Sequence, residues 1–125
     1  MVIDFEYKDD VCILRLKGRF VTGGDTSYLR TKTDELKASG CRKVMADFHD
    51  VPYADSTGIA FVVGVYISIA RTLGGLFVVS APNHRVREVL DITRLSSIIP
   101  IASDETSALA FLHSETPATL KAKQP

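Results

Sequence analysis

The chain has no excess of charge of either sign: 15 Lys and Arg balance 15 Asp and Glu in 125 residues, and the bases form no run. Nucleic acids and anionic lipid surfaces are recognised through concentrated positive charge, so neither a direct nucleic-acid contact nor a lipid surface is expected as the main partner. Long apolar runs are also missing. The longest uncharged stretch, Ser56 to Ala70, has 15 residues, short of the roughly twenty that a membrane span requires. The N-terminus, Met1-Val2-Ile3-Asp4-Phe5-Glu6, carries acids where a secretory signal carries bases, and the expected location is cytoplasmic, without membrane insertion. Cysteine is scarce. Cys12 and Cys41 have neither Cys-x-x-Cys spacing nor a second pair, which disfavours a metal knuckle or redox couple and leaves two reduced thiols. His49, His84 and His113 are dispersed, with no pair at metal-ligand spacing. Ser56 lacks a Gly-x-Ser-x-Gly elbow, and Gly23-Gly24 opens no phosphate-binding loop. These absences favour a protein that is not an enzyme, with no catalytic residue, metal or cofactor.

What remains is a 46% hydrophobic, 24% charged chain long enough for one domain that buries roughly two thirds of its unfolded surface. Ile3, Phe5 and Tyr7 alternate with charged residues, Asp9-Asp10 makes a turn, and Val11 to Gly18 returns as a hairpin strand. After the Thr22-Gly23-Gly24-Asp25 loop, Tyr28, Leu29, Thr33 and Leu36 follow at helical spacing until Ser39-Gly40. Strands are expected at Lys43–His49 and Leu76–Ser80, and a short edge strand at Ile98–Ile101. Helices are expected from Asp55 or Ser56 to about Leu73, after Pro82, and after the capping residue Asp104. The order ββαβαβαβα defines an α/β single domain with a mixed, mostly parallel sheet and helices packed against it. The domain is expected to occupy residues 1–114, and residues 115–125, poor in apolar side chains, a flexible tail.

The helix that begins at Ser56 is apolar on two sides. At about 100° per residue, Ile59, Val62, Val63, Tyr66, Ile69, Ala70 and Leu73 form one arc, read as the core face. The opposite side carries Thr57, Phe61, Gly64, Val65, Ser68 and Thr72, where Lys and Glu would normally stand. Such a face either packs under another helix of the same chain or is covered by another protein. Asp55-Ser56-Thr57-Gly58 clusters a carboxylate and two hydroxyls at the helix start, where backbone N–H groups point outward. One reading is capping. The other is that Ser56 is a phosphorylation switch, because the positive end of the helix dipole accommodates phosphate in the free protein while a covering partner would have to desolvate it.

From Val11 to His113 the sequence resembles the STAS domain of bacterial anti-sigma factor antagonists. The resemblance rests on Val11-Cys12-Ile13-Leu14-Arg15-Leu16-Lys17-Gly18, on an apolar strand ending in Asp47, and on Val51-Pro52-Tyr53-Ala54-Asp55-Ser56-Thr57-Gly58-Ile59, similar to the family's phosphorylation motif. Gly74 to Val79 and Val86 to Leu95 match its fourth strand and third helix. The resemblance implies an antagonist that acts by partner switching in transcription regulation, as in stress or sporulation signalling. The unphosphorylated form would bind an anti-sigma serine kinase with a histidine-kinase-like ATPase fold and free the sigma factor. Phosphorylation of Ser56, with Thr57 the lesser candidate and Asp55 and Gly58 its neighbours, would break the complex, and a metal-dependent serine phosphatase would restore it. The partner surface implied is the motif and the following helix, through Thr57, Phe61, Gly64, Val65 and Ser68. One departure is visible: many antagonists have Gly-Glu-Leu-Asp after the second strand, whereas this chain has Gly18-Arg19-Phe20-Val21.

Two alternatives compete. STAS domains also serve as docking modules in transporter tails and lipid-trafficking complexes, without a phosphoserine cycle. A response-regulator receiver would use Asp9-Asp10 for metal and Asp47 as phosphoacceptor, but Ile3 to Lys8 alternates where a receiver has a buried strand, and no Lys follows a late strand.

Overall fold

The computed structural model describes residues 2–19 and 26–114, with the side chain of Thr26 left aside. Phe20 to Asp25, and the segment from 115 onward read as a tail, lie outside the described residues. The elements are β1 (Val2–Lys8), β2 (Val11–Lys17), α1 (Thr26–Ala38), β3 (Lys43–Asp50), α2 (Ser56–Tyr66, continued by a π-helical turn at Ile67–Thr72), β4 (Leu76–Ser80), α3 (His84–Ile92), β5 (Ile101–Ala102) and α4 (Glu105–Ser114). The sheet order is β1-β2-β3-β4-β5, antiparallel between β1 and β2 and parallel thereafter. Connection length explains this pattern. Asp9-Asp10 reverses the chain in two residues, with Asp9 at φ 55°, while each later connection carries a helix and brings the next strand back parallel.

The expected order is therefore present, with two local differences. The last strand is Ile101–Ala102 rather than Ile98–Ile101. Ile98 and Ile99 instead follow a 3-10 turn at Leu95–Ser97, and Pro100 contributes only its carbonyl, which accepts from the Val79 N–H at 2.9 Å. The long uncharged helix is α-helical only to Tyr66. Beyond it the hydrogen bonds widen, with Leu73 N–H donating to the Ser68 carbonyl at 3.3 Å, and Gly74, at φ 68°, ends it.

Side-chain alternation divides the core in two. Cys12, Leu14, Leu16, Val44, Ala46, Phe48, Phe77 and Val79 face the layer formed by α1, α2 and α3, and Val11, Ile13, Met45, Leu76 and Val78 face α4 through Ala108 and Leu112. One short helix cannot cover a whole sheet face, and past its N-terminus the strands turn polar. Arg15, Asp47 and Ser80 lie in register across β2, β3 and β4. Arg15 Nε donates to Glu6 at 2.8 Å, and its Nη1 donates to Asp47 at 2.8 Å and also to Glu105 at the start of α4. The Ser80 hydroxyl beside this row is fully buried and has no partner among the described residues.

Arg15 thus ties together β1, β2, β3 and α4, and its guanidinium is the first cause that holds the carboxyls of Glu6 and Glu105 below their usual range. Lowered folded-state values make this stabilisation fully present above the unfolded carboxylate pKa and remove it as pH falls through the folded value. Replacing Arg15 with Met leaves Asp47, only 13% exposed, without its cation. The expected cost is about 2 kcal/mol at neutral pH, less than for a fully buried pair because Glu6 and Glu105 remain partly solvated. Thermal melts of both proteins at pH 7 and at about pH 3 should show the gap narrowing in acid. An equal gap at both pH values would assign the cost to lost packing instead.

Candidate functional site

The segment between β3 and α2 is anchored where its apolar residues enter the core: Val51 and Ala54 are buried, and Pro52 and Tyr53 between them reach the surface. Asn83 fixes the segment from outside. Its Oδ1 caps α3 by accepting from Val86 N–H at 2.9 Å, while its Nδ2 donates to the carbonyls of Val51 at 3.3 Å and Pro52 at 3.0 Å. One side chain therefore locks the first turn of α3 to the approach of α2.

Asp55 is the N-cap of α2, with extended backbone and Oδ1 accepting from Thr57 N–H at 2.9 Å. The capping role read for Asp-Ser-Thr thus falls on Asp55. Ser56, the first residue of the helix, is exposed, and its hydroxyl bonds to no other described residue. Thr57 is half-buried, and Gly58 is buried.

The outward face expected on α2 requires correction. Phe61 is 7% exposed and Val65 1%, and both belong to the main core with Leu29 and Leu36 of α1. The buried arc comprises Gly58, Ile59, Phe61, Val62, Val65 and Ile69, and at about 100° per residue its centre is rotated by roughly 60° from the arc read in the sequence. Val63, Tyr66, Ala70 and Leu73, assigned to the centre of the core face, are only half-buried. The reason is tertiary: α1 lies over the flank of α2 that carries Phe61, so the covering helix comes from the same chain. What α2 exposes is a narrow stripe of Ser56, Ala60, Gly64, Ile67 and Arg71, with Thr57 and Ser68 half-buried at its side. Between this stripe and α1 runs a groove of about 690 Å³, lined by Arg30, Thr33, Asp34 and Lys37 on one wall and Ser56, Thr57, Ala60 and Gly64 on the other, with Phe61 reaching it from the core.

Beside the groove is a feature that sequence reasoning missed. The guanidinium carbons of Arg19 and Arg85 lie 5.6 and 5.0 Å from the Tyr53 ring centroid. Arg19 was visible only as a departure from an acidic motif, and no periodic signal brings Arg85, from α3, to the same ring. The acids of the receiver alternative do not converge. Asp10 pairs with Lys43 at 3.0 Å and Asp47 with Arg15 at 2.8 Å, and the four residues separating Lys43 from Asp47 along β3 span about 13 Å. Cys12, buried, and Cys41, half-buried, are free thiols.

The family model described as STAS domain matches residues 2–108. The chain belongs to the STAS family. Among its relatives, the TM1081 homologue of Thermotoga neapolitana is 31% identical over 107 residues, covering 84% of this chain and 94% of its own length. The anti-sigma F factor antagonist of Paenibacillus polymyxa is 28% identical over 111 residues, covering 88% and 93%. The crystal structure of TM1081 from Thermotoga maritima superposes with a TM-score of 0.81 at 26% identity, over 89% of this chain and 94% of that one. The mixed five-stranded α/β architecture is the STAS fold. Among the described residues of this STAS protein, no helix is long and apolar enough to cross a membrane.

Burial makes Phe61 a residue on which the fold depends. An acid at a 7% exposed position must enter the core unpaired, and Phe61→Asp is expected to cost at least about 3 kcal/mol. Gly64→Ala should do the opposite, because nothing lies within 4 Å of the added Cβ and a helix-interior alanine is favoured by roughly 0.5–1 kcal/mol over glycine. Urea unfolding of the two variants decides: an unchanged midpoint for Phe61→Asp would place Phe61 at the surface.

Proposed function

We propose that this STAS protein is an anti-sigma factor antagonist that works by partner switching. Unphosphorylated, it binds an anti-sigma serine kinase of histidine-kinase-like ATPase fold and so frees the sigma factor. Phosphorylation of Ser56 breaks that complex, and a metal-dependent serine phosphatase restores the binding form. The observation that carries the reading is the hydroxyl of Ser56, which makes no hydrogen bond to another described residue and is exposed at the first residue of α2 while the neighbouring Asp55 carboxylate does the capping. Thr57 is the lesser acceptor because it is half-buried. Family membership supports the same reading, and the relative named an anti-sigma F factor antagonist aligns over most of both chains. The protein acts by binding and needs no catalytic residue or cofactor of its own.

Charge supplies the switch. Phosphate brings about −1.5 to −2 charges to a position where the free protein offers a helix N-terminus and open solvent. A partner seated on Ser56, Ala60 and Gly64 offers neither and must desolvate the added charge at several kcal/mol. Even about 2.8 kcal/mol of net loss lowers affinity a hundredfold. The stripe suits a close contact because Ala60 and Gly64 present almost no side chain, so a partner can approach the helix backbone around Ser56.

The cognate kinase should add one phosphate to the wild type and none to Ser56→Ala, read by intact mass; a label that persists in Ser56→Ala would move the site, for instance to Thr57. Ser56→Ala should bind the kinase with nearly wild-type affinity, since the hydroxyl makes no bond to another described residue. Ser56→Asp should bind about a hundredfold more weakly at unchanged melting temperature. Equal affinity of the two variants would contradict the charge switch.

A further inference from the structure

Two like-charged guanidinium groups gathered at one ring repel each other, and it is the ring's attraction for cations that holds them there. Arg19 comes from the loop after β2 and Arg85 from the first turn of α3, and both are exposed. Arg15 has three carboxylate partners and Arg87 pairs with Asp91 at 3.3 Å, whereas what sets Arg19 and Arg85 apart from the protein's other exposed arginines is that they share one aromatic ring. Among the described residues neither Arg19 nor Arg85 has a carboxylate partner, so their donors remain available. Their positions are prepared in advance. Tyr53 follows Val51 and Pro52, whose carbonyls are held by Asn83, the N-cap of the helix that carries Arg85. Cation–π attraction to the ring restrains both guanidinium groups, so less freedom is left to lose when an anion arrives.

We propose that Arg19, Tyr53 and Arg85 form a cationic cradle that receives an acidic segment of the kinase and thereby selects which kinase this protein binds. The proposal rests on the kinase-binding reading above and specifies the chemistry of that partner's surface. Guanidinium groups match carboxylates with paired N–H donors, and two of them held at one ring suit a segment with two or more Asp or Glu residues. The cradle belongs to the same contact as the switch, because only Ala54 and Asp55 separate Tyr53 from Ser56, and three steps of chain span at most about 11 Å. A partner contact of ordinary size centred on Ser56 is wide enough to reach Tyr53. A partner with Lys or Arg opposite the cradle is rejected by like charge, which is how an interface excludes wrong partners.

The test uses the full chain and the kinase purified by its association with the wild type, titrated by calorimetry at low and moderate salt. The double variant Arg19→Glu/Arg85→Glu should lose at least about a hundredfold in affinity at low salt, and Arg19→Gln/Arg85→Gln at least about tenfold with a shallower salt dependence. Arg94→Glu, an exposed charge at the other end of α3, should bind as the wild type. Melting curves identify any variant that fails to fold, and the Gln pair decides if the Glu pair does. Wild-type affinity for a folded double variant overturns the cradle. Ser56→Asp, run beside them, separates the two ideas: if it binds like the wild type the switch fails, whereas if it is weak and the Arg variants are not, only the cradle fails.

Discussion

The placement of α2 between the sheet and α1 is the constraint on which the rest of this structure depends. An apolar helix with a single charge has no face suited to water, and here nearly all of its circumference is used. Ile59, Val62 and Ile69 are buried in the layer over the sheet, Phe61 and Val65 join the same core with Leu29 and Leu36 of α1, and only the small residues Ala60 and Gly64 between Ser56 and Ile67 are left outside. A helix buried this way cannot move without disrupting the core, since close-packed interiors do not deform continuously. Its N-terminus is therefore a rigid platform. In the proposed switch, a serine on that platform gains or loses charge while the packing behind it stays as it was.

The two faces of the sheet divide the work. Three helices build the face that presents Ser56, the groove and the Arg19–Tyr53–Arg85 cluster. On the other face α4 covers only part of the strands, and the remainder is completed by the Arg15 network rather than by apolar packing. Charge thus has two roles in a chain with no net charge: around Arg15 it is saturated and ties elements together, while at Tyr53 two arginines stand exposed without a carboxylate among the described residues. That contrast separates a structural arginine from one available to a partner.

Period and punctuation made most of the architecture legible in the sequence. Alternation in Ile3 to Lys8 and again after Asp9-Asp10 marked the hairpin, the uniform apolar run Leu76–Ser80 marked a central strand, and Asp55 and Asp104 marked helix starts, with Asp104 Oδ1 accepting from Ser107 N–H at 2.7 Å. The Asp55-Ser56-Thr57-Gly58 segment at the start of α2 was legible for the same reason, being local. What was not legible is what distant segments do to each other. Periodicity shows that α2 has two apolar sides but not that α1 covers Phe61, because the packing of one helix on another is set by the whole chain. The π-helical turn leaves almost the same apolar pattern as an α-helix. The Tyr53 cluster requires Arg19 and Arg85, which are 66 residues apart, and no spacing rule connects them.

The account holds that phosphate on Ser56 acts at an interface and leaves the fold alone. The most direct measurement is made on one preparation of the wild-type chain, phosphorylated at Ser56 by its kinase and compared with the same chain after phosphatase treatment. Hydrogen exchange should be unchanged in β2, β3, β4 and the buried face of α2, with differences confined to residues near 51–64, while affinity for the kinase falls by about a hundredfold or more. Loss of protection through the core, or equal binding of the two forms, would contradict it.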